Sequence, residues 1–150
     1  MIPDPPLPGG CNCGQVRYRL TRPPIAGYIC HCHLCQKRTG SAFSQQLVFP
    51  ADALEIVSGE EIETVRVLPS GQRNLSRICP SCYSRISTRR EAFDTVSLRA
   101  GTLDDTSWLR PAAQIWTSSA QPWALISGIA SWEEQPSSWR ALTDAWEAAQ

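Results

Sequence analysis

Apolar and polar residues alternate in several short stretches along the first two thirds of the chain. Val16, Tyr18 and Leu20 alternate with arginines, and the same period of two recurs between residues 95 and 103. This period is typical of a strand with one buried face. Short strands separated by turns favour a mainly β, antiparallel fold. The predicted strands cover residues 16–20, 45–49, 54–58, 62–68, 75–78, 85–88 and 95–103.

Two segments favour helices. Residues 34–39 predict a short helix that ends at Gly40, because glycine suits the left-handed position after a helix. Near the C-terminus, apolar residues recur at spacings of three, four and three, and the preceding Pro136-Ser137-Ser138 offers a hydroxyl N-cap. These apolar residues are Trp139, Leu142, Trp146 and Ala149.

The two ends of the chain have unusual compositions. Four prolines among the first eight residues predict an extended lead-in, residues 1–8, rather than a secondary-structure element. The last third of the sequence holds all six tryptophans, which we interpret as core residues in preference to a substrate wall, since aromatic side chains bury large areas. They are Trp108, Trp116, Trp123, Trp132, Trp139 and Trp146.

The composition excludes several classes of protein. The 150 residues include 14 Lys+Arg and 14 Asp+Glu, and this net charge of zero argues against nucleic acid or membranes as partners. A hydrophobic content of 42% with 19% charged residues is typical of a folded domain, and no apolar run reaches the length of a membrane span. Residues 1–10 show no secretory signal, so a cytoplasmic location is expected.

The most informative feature is a set of seven cysteines in three groups. They follow the patterns C-x-C, C-x-C-x-x-C and C-x-x-C, which start at residues 11, 30 and 79. An odd number cannot pair completely in disulfides, and a reducing cytosol disfavours disulfides. A redox dithiol explains one pair and leaves the other five thiols without a role. Repeated short-range thiol clusters are typical of zinc ligands.

Seven thiols divide naturally as four plus three, which predicts two zinc ions. Structural zinc has four protein ligands, whereas a site with three keeps one position open. The two thiols of a C-x-C pair lie on one side of an extended chain and can join the distant C-x-x-C pair. The ligands of the closed site would be Cys11, Cys13, Cys79 and Cys82. Those of the second site, which keeps its fourth position open, would be Cys30, Cys32 and Cys35.

Other residues of the middle group leave alternatives open. His31 or His33 closes the second site in a rival partition, although both alternate with the cysteines and tend to point away from the same ion. Lys37 and Arg38 follow the third cysteine of this group. Their charges can offset the thiolates or bind a substrate carboxylate, and the alternative is a solvated basic turn.

Motifs around the cysteines extend over roughly residues 9–126. They are Gly10-Cys11-Asn12-Cys13-Gly14, Cys30-His31-Cys32-His33-Leu34-Cys35, Gly40-Ser41-Ala42-Phe43, Ser58-Gly59-Glu60, Ile78-Cys79-Pro80-Ser81-Cys82, Gly101-Thr102-Leu103-Asp104-Asp105, Ile115-Trp116 and Pro122-Trp123. Together they resemble the glutathione-dependent formaldehyde-activating enzyme family, also called the centromere protein V family.

The resemblance implies a fold, a cofactor and a reaction. It implies a β-tent, a mainly β fold of antiparallel sheets held by zinc, over residues 9–126. From the residue pattern, we expect residues 127–150 to form an extension whose short helix packs on this domain. It implies the four-plus-three partition of the thiols around two zinc ions. It also implies a carbon–sulfur lyase that interconverts S-hydroxymethylglutathione with glutathione and formaldehyde at the second ion, so the expected partner is a small thiol such as glutathione.

The chain departs from the family pattern at two positions. Tyr83 follows the last cysteine, where the family commonly has a glycine, and this position is expected to need an unusual φ. Gln114 stands where the family often has a histidine. If that histidine assists the reaction, this protein lacks its help.

Two other functions compete with a lyase. A non-catalytic zinc module that binds a protein predicts a closed second site and an exposed apolar patch. A redox or metal-storage role predicts a labile second ion. The sequence favours the enzyme.

Overall fold

The structure, a computed structural model, describes residues 1–68 and 70–150. The chain divides into two units, Met1–Pro24 with Val48–Leu109 and Ile25–Leu47 with Arg110–Gln150. In chain order the elements are β1 (Leu7–Gly10), β2 (Arg17–Leu20), β3 (Ala26–Cys30), α1 (His33–Thr39), β4 (Ser44–Pro50), β5 (Leu54–Ser58), β6 (Ile62–Val67), β7 (Arg73–Ile78), β8 (Arg85–Arg90), β9 (Thr95–Arg99), β10 (Ala113–Ile115), β11 (Ala130–Ser131) and α2 (Arg140–Ala148).

In the first unit, β1, β2 and β5 form an antiparallel sheet with β2 in the centre. The alternation predicted for β2 is confirmed, because Tyr18 and Leu20 are buried and Arg19 is exposed. The hydroxyl groups of Tyr18 and Thr102 lie 2.8 Å apart, so this buried phenol has a hydrogen-bond partner.

The proline-rich lead-in is shorter than predicted. Leu7 and Pro8 belong to β1 and lie opposite Leu20 and Arg19 of β2, so the prediction that residues 1–8 form no element is wrong at its end. β1 is the edge strand of its sheet. Proline is tolerated in an edge strand because it cannot donate the hydrogen bond that a central strand needs from each side.

The second sheet of this unit contains β6, β7, β8 and β9 in antiparallel order. The alternation predicted from residue 95 onward is confirmed in β9, where Val96 and Leu98 are buried between half-buried residues. The strand predicted for residues 95–103 ends early, at Arg99, and a 3-10 turn follows at Ala100–Thr102. The Thr102 hydroxyl donates to the Arg99 carbonyl at 2.7 Å, which stabilises the turn in place of further strand.

In the second unit, β3, β10 and β11 are parallel, so the antiparallel pairing that the sequence predicts does not extend to these three strands. Parallel neighbours need long crossover connections, and β3 and β10 are far apart in the sequence. The sequence analysis missed β3 because four of its five residues are buried. A strand buried on both faces lacks the apolar–polar alternation by which a half-exposed strand is recognised. The mainly β class with a C-terminal helix is confirmed.

The C-terminal helix α2 packs on β3. Leu142 and Trp146 are buried as predicted, and a Cβ on Gly27 would lie 2.3 Å from the Trp146 ring, so glycine permits this contact. The predicted serine cap is absent from the described helix start, where Trp139 is the N-cap without a side-chain hydrogen bond.

The interpretation of the six tryptophans as core holds only in part. Trp146 is buried, four others are half-buried, and Trp123 is 76% exposed. In the described part of the chain, no helix combines the length and the apolar character needed to cross a bilayer.

Candidate metal centres

The first centre joins two cysteine pairs of the first unit. Cys11 and Cys13 lie after β1, Cys79 and Cys82 lie after β7, and their four Sγ atoms are all within 4.8 Å of one another. The Sγ atoms of Cys11 and Cys13 are 3.5 Å apart, and those of Cys13 and Cys79 are 3.8 Å apart. A tetrahedron with metal–sulfur bonds of about 2.3 Å has edges of about 3.8 Å. The four thiols therefore fit a closed tetrahedral metal site.

Backbone groups fix the first pair. The Cys11 N–H donates to the Val16 carbonyl at 3.0 Å, and the Gly14 N–H donates to the Cys11 carbonyl at 3.1 Å. The Val16 N–H donates to the Cys11 sulfur at 3.2 Å. Burial opposes ionisation of this thiol, but hydrogen bonds led by the Val16 N–H outweigh it and lower the pKa of Cys11. This turn therefore favours the thiolate, the form that binds metals.

The second pair, Cys79 and Cys82, lies in a tight loop whose residues form hydrogen bonds with Ser84. The Cys79 N–H donates to the Ser84 carbonyl and the Tyr83 N–H donates to the Cys79 carbonyl, each at 3.0 Å. The Ser84 hydroxyl lies 3.2 Å from the Cys82 sulfur and also accepts from the Asn12 N–H at 3.1 Å. The hydrogen bond from Ser84 lowers the pKa of Cys82 to about 5. This hydroxyl thus favours the Cys82 thiolate and connects the two cysteine loops.

Tyr83 adopts the unusual backbone conformation that the sequence predicted for its position. Its φ is 60°, in the left-handed region, and its side chain is 73% exposed. A non-glycine residue there costs about 1–2 kcal/mol because its Cβ approaches the following carbonyl.

Tyr83→Gly is expected to stabilise the protein by about 1 kcal/mol, because it removes this clash at a position where the side chain contributes little burial. Chemical denaturation of the metal-loaded protein measures the change. Tyr83→Ala is the matched control, since alanine removes the ring but keeps the Cβ. An equal gain in both variants would assign the effect to the ring and contradict the backbone explanation.

The second centre lies where β3 runs into α1. Cys30 ends β3, Cys32 is the N-cap of α1, Cys35 lies in its first turn, and the three Sγ atoms are within 4.8 Å of one another. Cys30 is buried, whereas the other two are half-buried. The Cys35 N–H donates to the Cys32 sulfur at 3.4 Å. This hydrogen-bonded helix start holds the two half-buried thiols on one side of the cluster.

Two thiols of this centre, those of Cys30 and Cys32, differ strongly in pKa. Hydrogen bonds from Cys30, and then from Cys35, lower the pKa of Cys32 to about 2. The same contacts, with Cys32 as the leading one, raise the pKa of Cys30, which is also more buried. Negative charge therefore concentrates on Cys32, at the accessible side of the centre.

Neither nearby histidine joins the second centre. His33 is exposed, and His31 is fully buried with its Nε2 atom 3.3 Å from Gln114 Oε1. Among the residues that the structure describes, no histidine, aspartate or glutamate completes this group. The thiols converge as the four-plus-three division predicts, and their role as ligands stays a prediction.

The side-chain amide of Gln114 forms four hydrogen bonds, one of which reaches His31 beside the second centre. Its Oε1 atom also accepts from the Ile126 N–H at 3.1 Å, and its Nε2 atom donates to the Ile126 carbonyl and to the Ser131 hydroxyl, each at 2.8 Å. Because Oε1 accepts, His31 must carry its proton on Nε2 in this arrangement. The glutamine that departs from the family pattern therefore holds His31, the residue between two thiols of the centre.

Gln114→Leu is expected to destabilise the protein by about 2–4 kcal/mol, because it leaves buried partners without hydrogen bonds at about 1–3 kcal/mol each. Urea denaturation measures the loss. Gln72→Leu is the control, as Gln72 is exposed in the first unit. Equal stability of the two variants would show that the Gln114 hydrogen bonds carry no net stabilisation.

A surface depression of about 560 Å³ lies beside the end of α1 in the second unit. Lys37 lines it, whereas Arg38, which is half-buried, is not among its lining residues. The principal lining residues are Gln36, Lys37, Gly40, Ser41, Gln121 and Trp123.

Sequence analysis missed the two glutamines of this depression. Gln36 directly follows Cys35, and Gln121 precedes the Pro122-Trp123 motif, so their positions beside recognised motifs were the available signal. Their pairing joins residues that are 85 positions apart, which no local pattern contains.

Two comparisons with known proteins agree with this geometry. The family model "Glutathione-dependent formaldehyde-activating enzyme" matches residues 6–119. The crystal structure of a Rhodobacter sphaeroides protein, a structural genomics target, is similar with a TM-score of 0.53 and 17% sequence identity, covering 84% of this chain and 99% of that one. At this identity the likeness shows a shared fold. The family match spans most of the chain, and the protein therefore belongs to the glutathione-dependent formaldehyde-activating enzyme family.

Proposed function

We propose that this protein is a zinc-dependent carbon–sulfur lyase that acts on adducts of a thiol with an aldehyde. The adduct of the proposed reaction is S-hydroxymethylglutathione, which interconverts with glutathione and formaldehyde. One observation carries the proposal: three thiols converge at the start of α1 and no fourth donor among the described residues completes the group. Three protein ligands with an open position are typical of catalytic zinc, and four are typical of structural zinc.

The proposal assigns one zinc ion to each centre. Cys30, Cys32 and Cys35 would hold the catalytic ion, and the four thiols of the first centre would hold a structural one. A bound zinc ion would supply a Lewis acid that lowers the pKa of an incoming thiol. The fit of both centres rests on their sulfur donors, which suit zinc better than magnesium or calcium.

The reaction needs only bond cleavage at sulfur and one proton movement. In the cleavage direction the carbon–sulfur bond breaks, its electron pair stays on sulfur, and the hydroxyl oxygen becomes the aldehyde carbonyl as it loses its proton. Transfer of a proton to the thiolate balances the reaction. Cys32 and Cys35 are half-buried, so water has access to this side of the centre and can carry the proton.

The charge around the second centre suits an anionic thiol. Three thiolates around a divalent cation leave a net charge of about −1, which Lys37 and Arg38 of α1 would offset. Lys37 is exposed, so it can also reach a substrate carboxylate. We propose glutathione as the small-molecule partner on the strength of the family membership, and the cytoplasm, where glutathione is abundant, as the location.

Two-dimensional NMR exchange spectroscopy tests the proposal. A mixture of formaldehyde and glutathione is followed with and without zinc-loaded protein, and the expected result is faster exchange between free glutathione and its hydroxymethyl adduct. Cysteine and 2-mercaptoethanol are assayed alongside. No acceleration with any of the three thiols would contradict the lyase and favour the zinc module that binds a protein partner.

A further inference from the structure

One face of the sheet formed by β6, β7 and β8 carries no acidic side chain in residues 62–67, 73–78 and 85–90. Directly opposed residues of neighbouring strands project their side chains from the same face, so the register defines this face. Glu63, the acidic residue of these three strands, projects from the other face, where it pairs with Arg77 at 3.0 Å. Three rows cross the first face from β6 to β8: Ile62, Ile78 and Arg85; Thr64, Ser76 and Thr88; Arg66, Asn74 and Arg90.

The polar groups of the middle row, Thr64, Ser76 and Thr88, find partners within the protein. Arg85 Nη1 donates to Ser76 Oγ at 2.7 Å, and the hydroxyl groups of Ser76 and Thr88 lie 3.2 Å apart. Ser76 is only 2% exposed, so its buried hydroxyl is satisfied by these two neighbours. This row needs no ligand.

The third row, Arg66, Asn74 and Arg90, differs because its central side chain lacks such a partner. Asn74 lies directly opposite Arg66 in β6 and Arg90 in β8. It is only 9% exposed, and its Oδ1 atom is buried without a hydrogen-bond partner among the residues that the structure describes. Buried polar atoms nearly always have a partner, so this acceptor points to a donor that comes from outside the chain.

The two arginines of the third row place unneutralised positive charge on both sides of Asn74. Within residues 1–68 and 70–150, neither Arg66 nor Arg90 forms a salt bridge. Glu91 follows Arg90 directly, but its carboxylate pairs with Arg73 at 2.8 Å. Neighbouring strands lie about 4.8 Å apart, so the backbones of Arg66 and Arg90 are about 10 Å apart across β7. Long side chains from both edges can therefore meet over the central amide.

An anion that brings its own hydrogen-bond donor fits this row. Guanidinium groups bind phosphate oxygens in bidentate pairs, and a phosphate group has enough oxygens for two arginines. Asn74 Oδ1 accepts hydrogen bonds and cannot bind an anion's oxygen, whereas a hydroxyl group can donate to it. A sugar phosphate carries both groups within a few bonds of each other.

We propose that the third row, Arg66, Asn74 and Arg90, is a binding site for a small phosphorylated sugar. The two guanidinium groups pair with the phosphate, and a sugar hydroxyl donates to Asn74 Oδ1. The site uses none of the seven thiols, so it stands or falls independently of the proposed lyase reaction.

Isothermal titration calorimetry of the zinc-loaded protein with ribose 5-phosphate tests the site. The expected Kd is about 1 mM or tighter. Arg66→Gln and Arg90→Gln are each expected to weaken binding about tenfold or more, because each removes a charge-assisted contact. Arg89→Gln is the matched control, since Arg89 is exposed, adjoins Arg90 in β8 and projects from the opposite face. Equal losses in all three variants would assign the effect to net charge and overturn the inference.

Asn74→Leu tests the contact with the sugar hydroxyl. The native protein is expected to bind ribose 5-phosphate about tenfold more tightly than sulfate, which is an anion without a hydroxyl group. Asn74→Leu is expected to lose this preference with its affinity for sulfate within twofold. The variant should fold as well as the native protein, because leucine removes the unpartnered acceptor at similar size. Equal affinity of the native protein for the two anions would overturn the inference.

Two further measurements separate this site from other anion sites. Cys32→Ser, which removes a thiol of the second centre, is expected to bind ribose 5-phosphate as tightly as the native protein does. Loss of binding in that variant would place the anion on the second metal ion and overturn the inference. Binding of a single-stranded oligonucleotide through Arg66 and Arg90, without binding of ribose 5-phosphate, would assign the face to nucleic acid and overturn it as well.

Discussion

Substitution of Cys79 by serine is expected to remove one of the two proposed zinc ions and to lower the thermal unfolding midpoint by about 10 °C or more. Cys79 is fully buried and its sulfur lies 3.8 Å from that of Cys13, inside the first centre. Serine is a poor zinc ligand, so the tetrahedron loses a corner. The new serine hydroxyl is also buried among the remaining thiols of the first centre.

The size of this effect follows from the energy of structural zinc. In small zinc domains, binding contributes about 10 kcal/mol or more to folding, whereas a whole domain is stable by about 5–15 kcal/mol. A loss of about 5 kcal/mol already corresponds to about 10–20 °C in a chain of this size. The centre joins loops that are 66 residues apart, so its loss frees a long segment.

Metal analysis together with thermal unfolding followed by circular dichroism measures both parts of this prediction. Ser81→Ala is the matched control, because Ser81 lies in the same C-x-x-C loop, is exposed, and its hydroxyl donates to Gln15. The control should keep two ions and unfold within about 2 °C of the native protein. A Cys79→Ser protein with two ions and a native midpoint would refute a structural metal at the first centre.

Substitution of Cys32 by serine is expected to lower the rate of thiol–aldehyde exchange about 100-fold or more and to leave the fold in place. The proposed catalytic ion contributes several kcal/mol to the transition state, and each 1.4 kcal/mol is worth about a factor of ten. Cys32 is one of the three thiols of the open site, so its loss removes a proposed ligand directly.

The fold is expected to tolerate this change because of the place of Cys32 in α1. Its sulfur accepts the Cys35 N–H as the N-cap of the helix. Serine is among the best N-cap residues and can accept the same hydrogen bond. The thermal midpoint is therefore expected to fall by only a few degrees, in contrast to Cys79→Ser.

His33→Ala is the control for this second experiment, since His33 is exposed at the start of α1, next to Cys32, and lies outside the thiol group. It should keep two ions and native exchange rates. Native exchange rates in the Cys32→Ser protein would contradict a catalytic role for the second centre. A large loss of stability with no change in exchange would instead favour the structural zinc module.

Local patterns were sufficient to locate several strands of the first unit. β2, β5, β6 and β8 lie within one or two residues of their predicted positions. β2 alternates between buried and exposed residues, whereas β6 is exposed throughout and was located by the turns that bound it. The same reasoning failed for β3, whose two faces are both buried, and for β1, where prolines hid an edge strand. Composition-based rules fail at such places because they describe the average environment of a residue type.

The sequence predicted the sulfur donors of the candidate site but not the side chains that surround and support them. The cysteine spacings predicted the two thiol groups, since short loops bring neighbouring thiols together by themselves. The sequence carried no sign that Gln114 supports His31, because these residues meet only through the parallel pairing of β3 with β10. Tyr83 shows the intermediate case, in which a departure from a family glycine correctly predicted a left-handed φ.

By itself, the sequence determined the number of thiols, their grouping into short loops, the family, and the period-two strands of a mainly β chain. These properties depend on covalent spacing and on the local periodicity of backbone conformations. Only the tertiary structure decided that three strands run parallel and that the depression forms between Lys37 and Trp123. Each of these brings together residues that are distant along the chain, and their contacts depend on how whole elements pack.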